Sequence, residues 1–203
     1  MTMVTFRKAI ITAVALALAT PAAAQMYSDG YRFLQAVKNS EGEDATELLN
    51  QPGSVVINSR DLSTGETGLH ITVEREDLTW TRFLLQEDAN PNIADNSGRT
   101  PLTMAAQQGW VEGVSALIAG GARVDVTSRT GETALIYAVH SRNLEMIEAL
   151  VEAGADPDRA DNTGRSAREY ASQPGVPSRV LAAIEEAESE DDGRGARTYG
   201  PVF

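Results

Sequence analysis

The sequence contains no cysteine and few other residues that perform catalytic or metal chemistry. The absence of cysteine excludes disulfides, thiolate metal sites and a cysteine nucleophile. There are only two histidines, His70 and His140, which leaves little material for a histidine-based metal site. No G-x-S-x-G, P-loop, H-E-x-x-H or G-x-G-x-x-G motif occurs. We therefore expect no enzymatic activity, no metal and no cofactor.

Basic residues are also scarce, with 17 lysines and arginines against 29 acidic residues and a formal net charge of −12. Phosphate binding requires a basic patch, so this balance argues against a nucleic acid partner. It also argues against docking on anionic lipid. Aromatic residues make up only 5% of the chain, but the hydrophobic fraction of 42% suits a packed core.

The first 24 residues have the pattern of an export signal. Two cations, Arg7 and Lys8, precede an uncharged apolar run over 9–19, and Ala22 and Ala24 form an A-x-A cleavage pattern. The run is too short to cross a bilayer, which takes about 20 apolar residues. The sequence predicts a secretory signal peptide over 1–24, with an uncleaved anchor as the alternative. Cleavage would change the net charge to −14, and the alanine-rich form indicates bacterial export to the periplasm or, alternatively, to the medium.

A repeat of 33 residues organises the rest of the chain. Gly65, Gly98, Gly131 and Gly164 are spaced at this interval. Paired apolar residues follow the first three glycines in the same register, at 84–85, 117–118 and 150–151. A fixed period of this size is typical of a solenoid, in which each unit buries its apolar face against its neighbours.

The best-formed unit shows how each repeat should fold. Thr100 is a good helix N-cap, and Pro101 suits the first helical position because its missing N–H is not needed there. We predict a first helix over 101–108, which Gly109 ends, and a second helix over 111–119. Gly120 and Gly121 should then form a left-handed C-cap.

These segments resemble the ankyrin repeat, whose period is 33 and whose core motif is Thr-Pro-Leu-His. Thr100-Pro101-Leu102 matches three motif positions, while Thr67–His70 reads TGLH and keeps the histidine. The resemblance implies an all-α solenoid over 25–187. Its five units, numbered 1 to 5 below, cover about 29–58, 61–94, 95–127, 128–160 and 161–187, and the end units are divergent caps. Unit 1 should hold helices over 31–37 and 43–50, and 188–203 should be a disordered acidic tail.

The same resemblance implies where a partner would bind. Ankyrin repeats typically bind proteins through hairpin tips and the exposed side of the first helix of each unit. By register, the candidate protein-binding residues in this chain are Glu66, Glu74, Arg75, Asn96, Arg99, Gln107, Gln108, Arg129, Glu132, His140 and Arg165. The acidic excess should lie mainly on the second helices and in the tail.

Several residues admit a chemical and a structural interpretation. His70 occupies the motif histidine position, where the resemblance implies hydrogen bonds to the Thr67 hydroxyl and nearby backbone. His140 is either a residue that contacts a partner or a solvent-exposed residue with no binding role. The acidic run at 156–162 alternates like a calcium loop but lacks the glycine at its sixth position, so we predict a hairpin turn. We expect Trp80 to pack in the core. For Trp110, packing between repeats is favoured, with partial exposure as the alternative. Packing between repeats also accounts for the 33-spaced ladder of Ile71, Met104, Tyr137 and Tyr170.

The resemblance implies a non-enzymatic module that binds another protein, as a monomer and without stable membrane insertion after signal cleavage. An exported bacterial protein of this kind would act in the periplasm. Some exported bacterial members support haem catalases in peroxide defence, so an envelope or peroxide-stress partner is allowed although no residue specifies it. The alternative is a secreted effector or toxin-neutralising protein that acts on a host or competitor protein.

Overall fold

The computed structural model describes residues 28–192, with side chains described as far as Ser189. This part of the chain contains α-helices, one short 3-10 helix and no strand. The helices are α1 (Asp29–Asn39), α2 (Gly42–Leu49), α3 (Gly68–Glu74), α4 (Leu78–Gln86), α5 (Pro101–Gln108), α6 (Val111–Ala119), α7 (Ala134–Ser141), α8 (Leu144–Glu152), α9 (Ala167–Ala171) and α10 (Ser178–Asp192). The all-α prediction is confirmed.

The helices form two layers, which is the arrangement of an α-solenoid. The inner layer is the stack α1, α3, α5, α7 and α9, in which each helix contacts the next. In the outer layer, α4, α6, α8 and α10 stack in the same way, and each inner helix also packs on the outer helix of its own unit. The core therefore runs continuously between the layers, with Leu69, Leu102 and Leu135 among its fully buried side chains.

A buried row of hydroxyl residues begins the inner helices. Thr67, Thr100, Thr133 and Ser166 are the N-cap residues, and each is at most 5% exposed. Pro101 occupies the first position of α5, and Gly109 ends that helix with φ +83°. The predicted bounds of both helices in this unit are confirmed, because these capping signals are local in sequence.

Hairpin-like loops join the units and bond to one another. The backbone N–H of Asn96 donates to the carbonyl of Thr64, and that of Asn162 donates to the carbonyl of Thr130. The side-chain amides of the same asparagines donate to the carbonyls of Ser63 and Arg129, at 2.9 and 2.8 Å. The loops therefore form a connected edge beside the inner helices.

The first unit differs slightly from its prediction. Helix α1 begins at Asp29 instead of residue 31, because the Ser28 hydroxyl accepts from the Tyr31 N–H and caps it. Helix α2 covers 42–49 instead of 43–50. The longer loop that follows contains the 3-10 helix Val56–Asn58, which packs on α1.

The last unit corrects the predicted domain end. Helix α10 continues to Asp192, so the prediction of a disordered tail from residue 188 is wrong for residues 188–192. Arg168, which stands where other units have leucine, bonds to Asp158 at 2.8 Å and to Glu188 at 2.7 Å. The pair with Glu188 ties this part of α10 to α9, and the pair with Asp158 joins unit 5 to unit 4. Residues 193–203 lie outside the described part of the chain.

The two tryptophans differ in exposure. Trp110 is buried at 8% exposure, which confirms the favoured packing role over the alternative of partial exposure. Gly113 leaves the space, since a Cβ there would lie 1.9 Å from the Trp110 ring. Trp80 is only half-buried, packs against the core and meets the Phe83 ring edge-on at 5.5 Å.

The predicted signal peptide over 1–24 lies outside the described residues. Within 28–192, none of the helices has the length and apolar character needed to span a membrane.

Candidate functional site

The candidate site is the surface formed by the inner helices and the hairpin loops, called the inner face below. Residues of equivalent register recur along it once per unit. At the end of the inner helices these are Glu74, Gln107 and His140, and all three are exposed. The hairpins contribute exposed Asn96, Arg129 and Arg165, together with half-buried Glu66, Arg99 and Glu132. The predicted residues therefore share one surface, but their side chains differ in how freely they can meet a partner.

Arg75 is a structural side chain. Its Nη1 donates to the carbonyls of Val37 and Lys38 at 2.8 and 2.7 Å, and its Nη2 pairs with Asp77 at 3.2 Å. Those carbonyls lie at the end of α1, where helical backbone acceptors have no partner within the helix. Arg75 thus joins unit 2 to unit 1, and its predicted role as a free contact residue does not fit this geometry.

Arg99 is held by a carboxylate of its own hairpin. Its guanidinium contacts Asp95 at 2.8 Å and approaches Glu66 of the preceding hairpin at 4.0 Å. Burial raises the pKa of Asp95, but hydrogen bonds from the backbone and side chain of Arg99 outweigh it and hold that pKa below its usual value. Arg99 therefore presents only part of its guanidinium to the inner face.

Two amides on the inner face also have internal partners. Asn96 accepts from Arg60 at 3.5 Å besides bonding the adjacent hairpin. The Gln108 amide reaches the carbonyl of Glu74 at 3.4 Å, a long hydrogen bond. Both side chains remain exposed, so they can exchange these bonds for contacts with a partner.

His70 has the structural role that the sequence predicts. It is fully buried, and its Nδ1 accepts the Thr67 N–H at 3.1 Å and lies 2.9 Å from the Thr67 hydroxyl. Because Nδ1 accepts, Nε2 carries the proton and donates to the Arg99 carbonyl at 3.0 Å. Burial holds the pKa of His70 below its usual value of 6.5, so the neutral form predominates. His70 therefore links units 2 and 3 and is unavailable to a ligand.

His140 belongs to a cluster of side chains in units 4 and 5. Its Nδ1 lies 3.7 Å from a carboxylate oxygen of Glu132, and its ring meets the Tyr170 ring edge-on at 4.6 Å. Glu132 also accepts from the Thr130 hydroxyl at 2.7 Å and from the Tyr137 hydroxyl at 3.1 Å. The His140 side chain is nevertheless 43% exposed, so it is oriented and still accessible.

Arg165 and Tyr170 extend this cluster into the last hairpin. The Arg165 guanidinium lies over the Tyr170 ring, 5.9 Å from its centroid. The Tyr170 hydroxyl donates to Asp161 at 2.7 Å. Hydrogen bonds from the Thr163 and Tyr170 hydroxyls hold the pKa of Asp161 well below its usual range. The carboxylate therefore stays charged and fixes the tyrosine ring beneath the arginine.

The structure adds an exposed apolar residue that the sequence reasoning missed. In unit 2 the hairpin from Asp61 to Glu66 has one more residue than that from Asp95 to Arg99. The extra length displaces Leu62, which is fully exposed beside a cleft of about 280 Å³ near α1. Comparing loop lengths between units is the signal that could have identified it.

Comparison with known proteins gives consistent results. A family model described as ankyrin repeats (3 copies) matches residues 33–128, 69–161 and 111–180. A stretch of 59 residues is 42% identical to an ankyrin repeat protein of fowlpox virus. That stretch covers 29% of this chain and 17% of the viral protein, so the similarity concerns a small part of the relative.

Proposed function

Since the chain belongs to the ankyrin repeat family, we propose that it is a non-enzymatic module that holds a partner protein on its inner face in the bacterial periplasm. Ankyrin repeats indicate a protein–protein interaction module. The periplasmic location, the class of partner and the monomeric state go beyond what family membership implies and are part of the proposal.

The observation that carries the proposal is the accessible row along the inner face. Glu74, Gln107 and His140 are exposed at equivalent positions of three stacked helices. The bonded hairpins hold Arg129 and Arg165 beside that row. A solenoid presents such a surface as an extended binding face, and its packed units keep the surface rigid, which limits the entropy lost on binding.

The periplasmic location rests on the signal pattern over 1–24. The class of partner to examine first is an envelope or peroxide-stress protein that this chain would support. Peroxide survival of a deletion strain tests the peroxide-stress partner, because normal survival would remove that partner from consideration. If the protein instead accumulates in the culture medium and not in the osmotic-shock fraction, the secreted effector or toxin-neutralising alternative is favoured.

The proposal is tested by crosslinking the tagged, processed protein in its native cell and identifying the adducts. We expect one specific protein to be recovered, and changing Arg129 or Glu132 to reduce that recovery. Glu148, exposed on outer helix α8, supplies the matched control, since Glu148→Ala should leave the adduct unchanged. Recovery of no specific protein, together with no effect of the inner-face changes, would contradict the proposed binding role.

A further inference from the structure

Aromatic rings are concentrated at one end of the inner face. The equivalent inner-helix positions hold Ile71 and Met104 in units 2 and 3, but Tyr137 and Tyr170 in units 4 and 5. One turn later, Glu74 and Gln107 correspond to His140. Three rings therefore lie on units 4 and 5, and two of them, His140 and Tyr170, are in contact. The two preceding units have aliphatic and polar side chains at these positions. Tyrosine is enriched among the residues that dominate binding energy in protein interfaces.

The rings are already held in position. Tyr137 donates to Glu132 at 3.1 Å, Tyr170 donates to Asp161 at 2.7 Å, and His140 packs edge-on against Tyr170. Side chains that are ordered before binding lose less conformational entropy when a partner arrives. The cluster thus combines accessible rings with low mobility.

Within the described residues, two cations on the hairpins of units 4 and 5 lack an acidic ion-pair partner, and one of them, Arg165, lies over the Tyr170 ring. Arg129 and Arg165 are exposed and form no ion pair within the described residues, whereas Arg99 and Arg168 pair with carboxylates. Two acids lie in the cluster: one oxygen of Glu132 accepts from Thr130 and Tyr137 while the other lies 3.7 Å from His140, and Asp161 accepts from Tyr170. The missing countercharge can therefore come from a partner.

The negative net charge of the chain does not prevent an acidic segment from binding near these arginines at short range. The net charge of −12 repels an acidic partner at a distance. At physiological ionic strength, however, interactions between exposed charges are screened over about 8 Å. Once a segment reaches the surface, the exposed charges of these two hairpins act on it most strongly. Arg129 and Arg165 are exposed, whereas Asp161 is buried and Glu132 is half-buried.

We propose that Arg129, Tyr137, His140, Arg165 and Tyr170 form a patch that binds an acidic segment of a partner protein. An aspartate or glutamate of that segment pairs with the Arg165 guanidinium, which can offer two parallel N–H donors to a carboxylate. The neighbouring residues of the segment lie against the half-buried Tyr170 ring and the exposed His140 ring. This inference rests on the proposed function and adds the position and chemistry of the contact.

A random twelve-residue peptide library displayed on phage, selected against the full chain, provides the probe. We expect the enriched peptides to share a fixed aspartate or glutamate. Arg165→Ala should weaken binding of a selected synthetic peptide by about ten-fold or more, since one charge-assisted contact is lost. Arg165→Lys should recover part of that loss. Arg82→Ala, which removes an exposed arginine from outer helix α4, should change the affinity less than two-fold.

Several results would overturn the inference. The selection could yield neutral or basic peptides, or no enriched peptide at all. Arg165→Ala and Arg82→Ala could reduce the affinity for the selected peptide equally. A random 20-nucleotide DNA strand could bind the chain as tightly as the selected peptide does. The last result would mean that the patch attracts anions without selecting a protein segment. Peptides whose binding depends on Gln107 and not on Arg165 would overturn the inference but leave the proposed function intact. The proposed function is decided separately, by crosslinking in the cell.

Discussion

His70 is the side chain whose replacement tests most directly how one unit is fixed to the next. Its two ring nitrogens serve different neighbours, because Nδ1 accepts from the start of its own helix and Nε2 donates to the following unit. The equivalent residue in unit 3, Thr103, performs only the first task, with its hydroxyl accepting the Thr100 N–H at 2.8 Å. His70→Thr should therefore keep the helix cap and remove the link between units, whereas His70→Ala should remove both.

The two variants have different expected costs. For His70→Thr we expect a loss of about 1 kcal/mol for the hydrogen bond to the Arg99 carbonyl and about 1–2 kcal/mol for the smaller buried volume. His70→Ala should cost a further 1–2 kcal/mol or so, because the buried Thr67 N–H then has no partner. Urea unfolding of the full chain at pH 7.5 measures both. Tryptophan fluorescence is a suitable signal because Trp80 and Trp110 lie in the two units that His70 joins.

The same link predicts a pH dependence. Burial places the pKa of His70 below its usual value of 6.5, so the unfolded chain binds the proton more tightly than the folded chain does. The stabilisation is complete above pH 6.5 and declines as the pH falls from there through the folded-state pKa. Wild type should therefore lose more stability between pH 7.5 and 5.5 than His70→Thr.

Two results would refute this reasoning. The first is a His70→Ala variant that unfolds at the same urea concentration as His70→Thr, which would mean that the cap contributes nothing. The second is an equal pH dependence in wild type and His70→Thr. In that case another group, and not the buried imidazole, would be responsible for the loss of stability in weak acid.

Four further substitutions test three separate features by urea unfolding. Thr103→His should stabilise the chain by about 1 kcal/mol by adding the missing link to the next hairpin, and no gain would contradict the assigned role of the histidine. Glu76 and the equivalent Gly109 both have left-handed backbone, with φ +53° and φ +83°. Because glycine adopts this conformation with the least strain, Glu76→Gly should stabilise the chain by up to about 1 kcal/mol, and Gly109→Ala should destabilise it by about 1–2 kcal/mol. Gly113→Ala should cost about 2 kcal/mol or more, because the new Cβ would overlap the Trp110 ring, and an unchanged midpoint would show that the ring moves easily.

The parts of the fold that the sequence predicts best have local causes. The helices over 101–108 and 111–119 have the predicted bounds because Thr100, Pro101 and Gly109 determine where they start and stop. Helix α10 continues past residue 187, where the polar composition predicted a tail, and an ion pair joins its Glu188 to Arg168, twenty residues earlier. The burial of Trp110 was indicated by Gly113 one turn later, a signal that single-residue reasoning overlooks.

The candidate site was predicted as a row of positions, and the structure shows how those positions differ. Arg75 donates to the carbonyls of Val37 and Lys38. This contact depends on how α1 ends and not on the sequence near Arg75. Tyr137 and Tyr170 pack against the core, and Tyr170 meets His140 of the preceding unit. Their hydroxyl bonds to Glu132 and Asp161, which orient the rings on the inner face, depend on the three-dimensional course of the hairpins.

The central claim is that the inner face, and not the outer helices, contacts the partner. Site-specific photocrosslinking in the native cell tests it, with a photoreactive residue at Gln107 on inner helix α5 or at Glu148 on outer helix α8. Both positions are exposed, so a difference in crosslinking yield reflects which face contacts the partner and not how accessible each residue is. The account predicts a specific protein adduct from position 107 and none above background from position 148. The reverse pattern, or equal adducts from both positions, would contradict it.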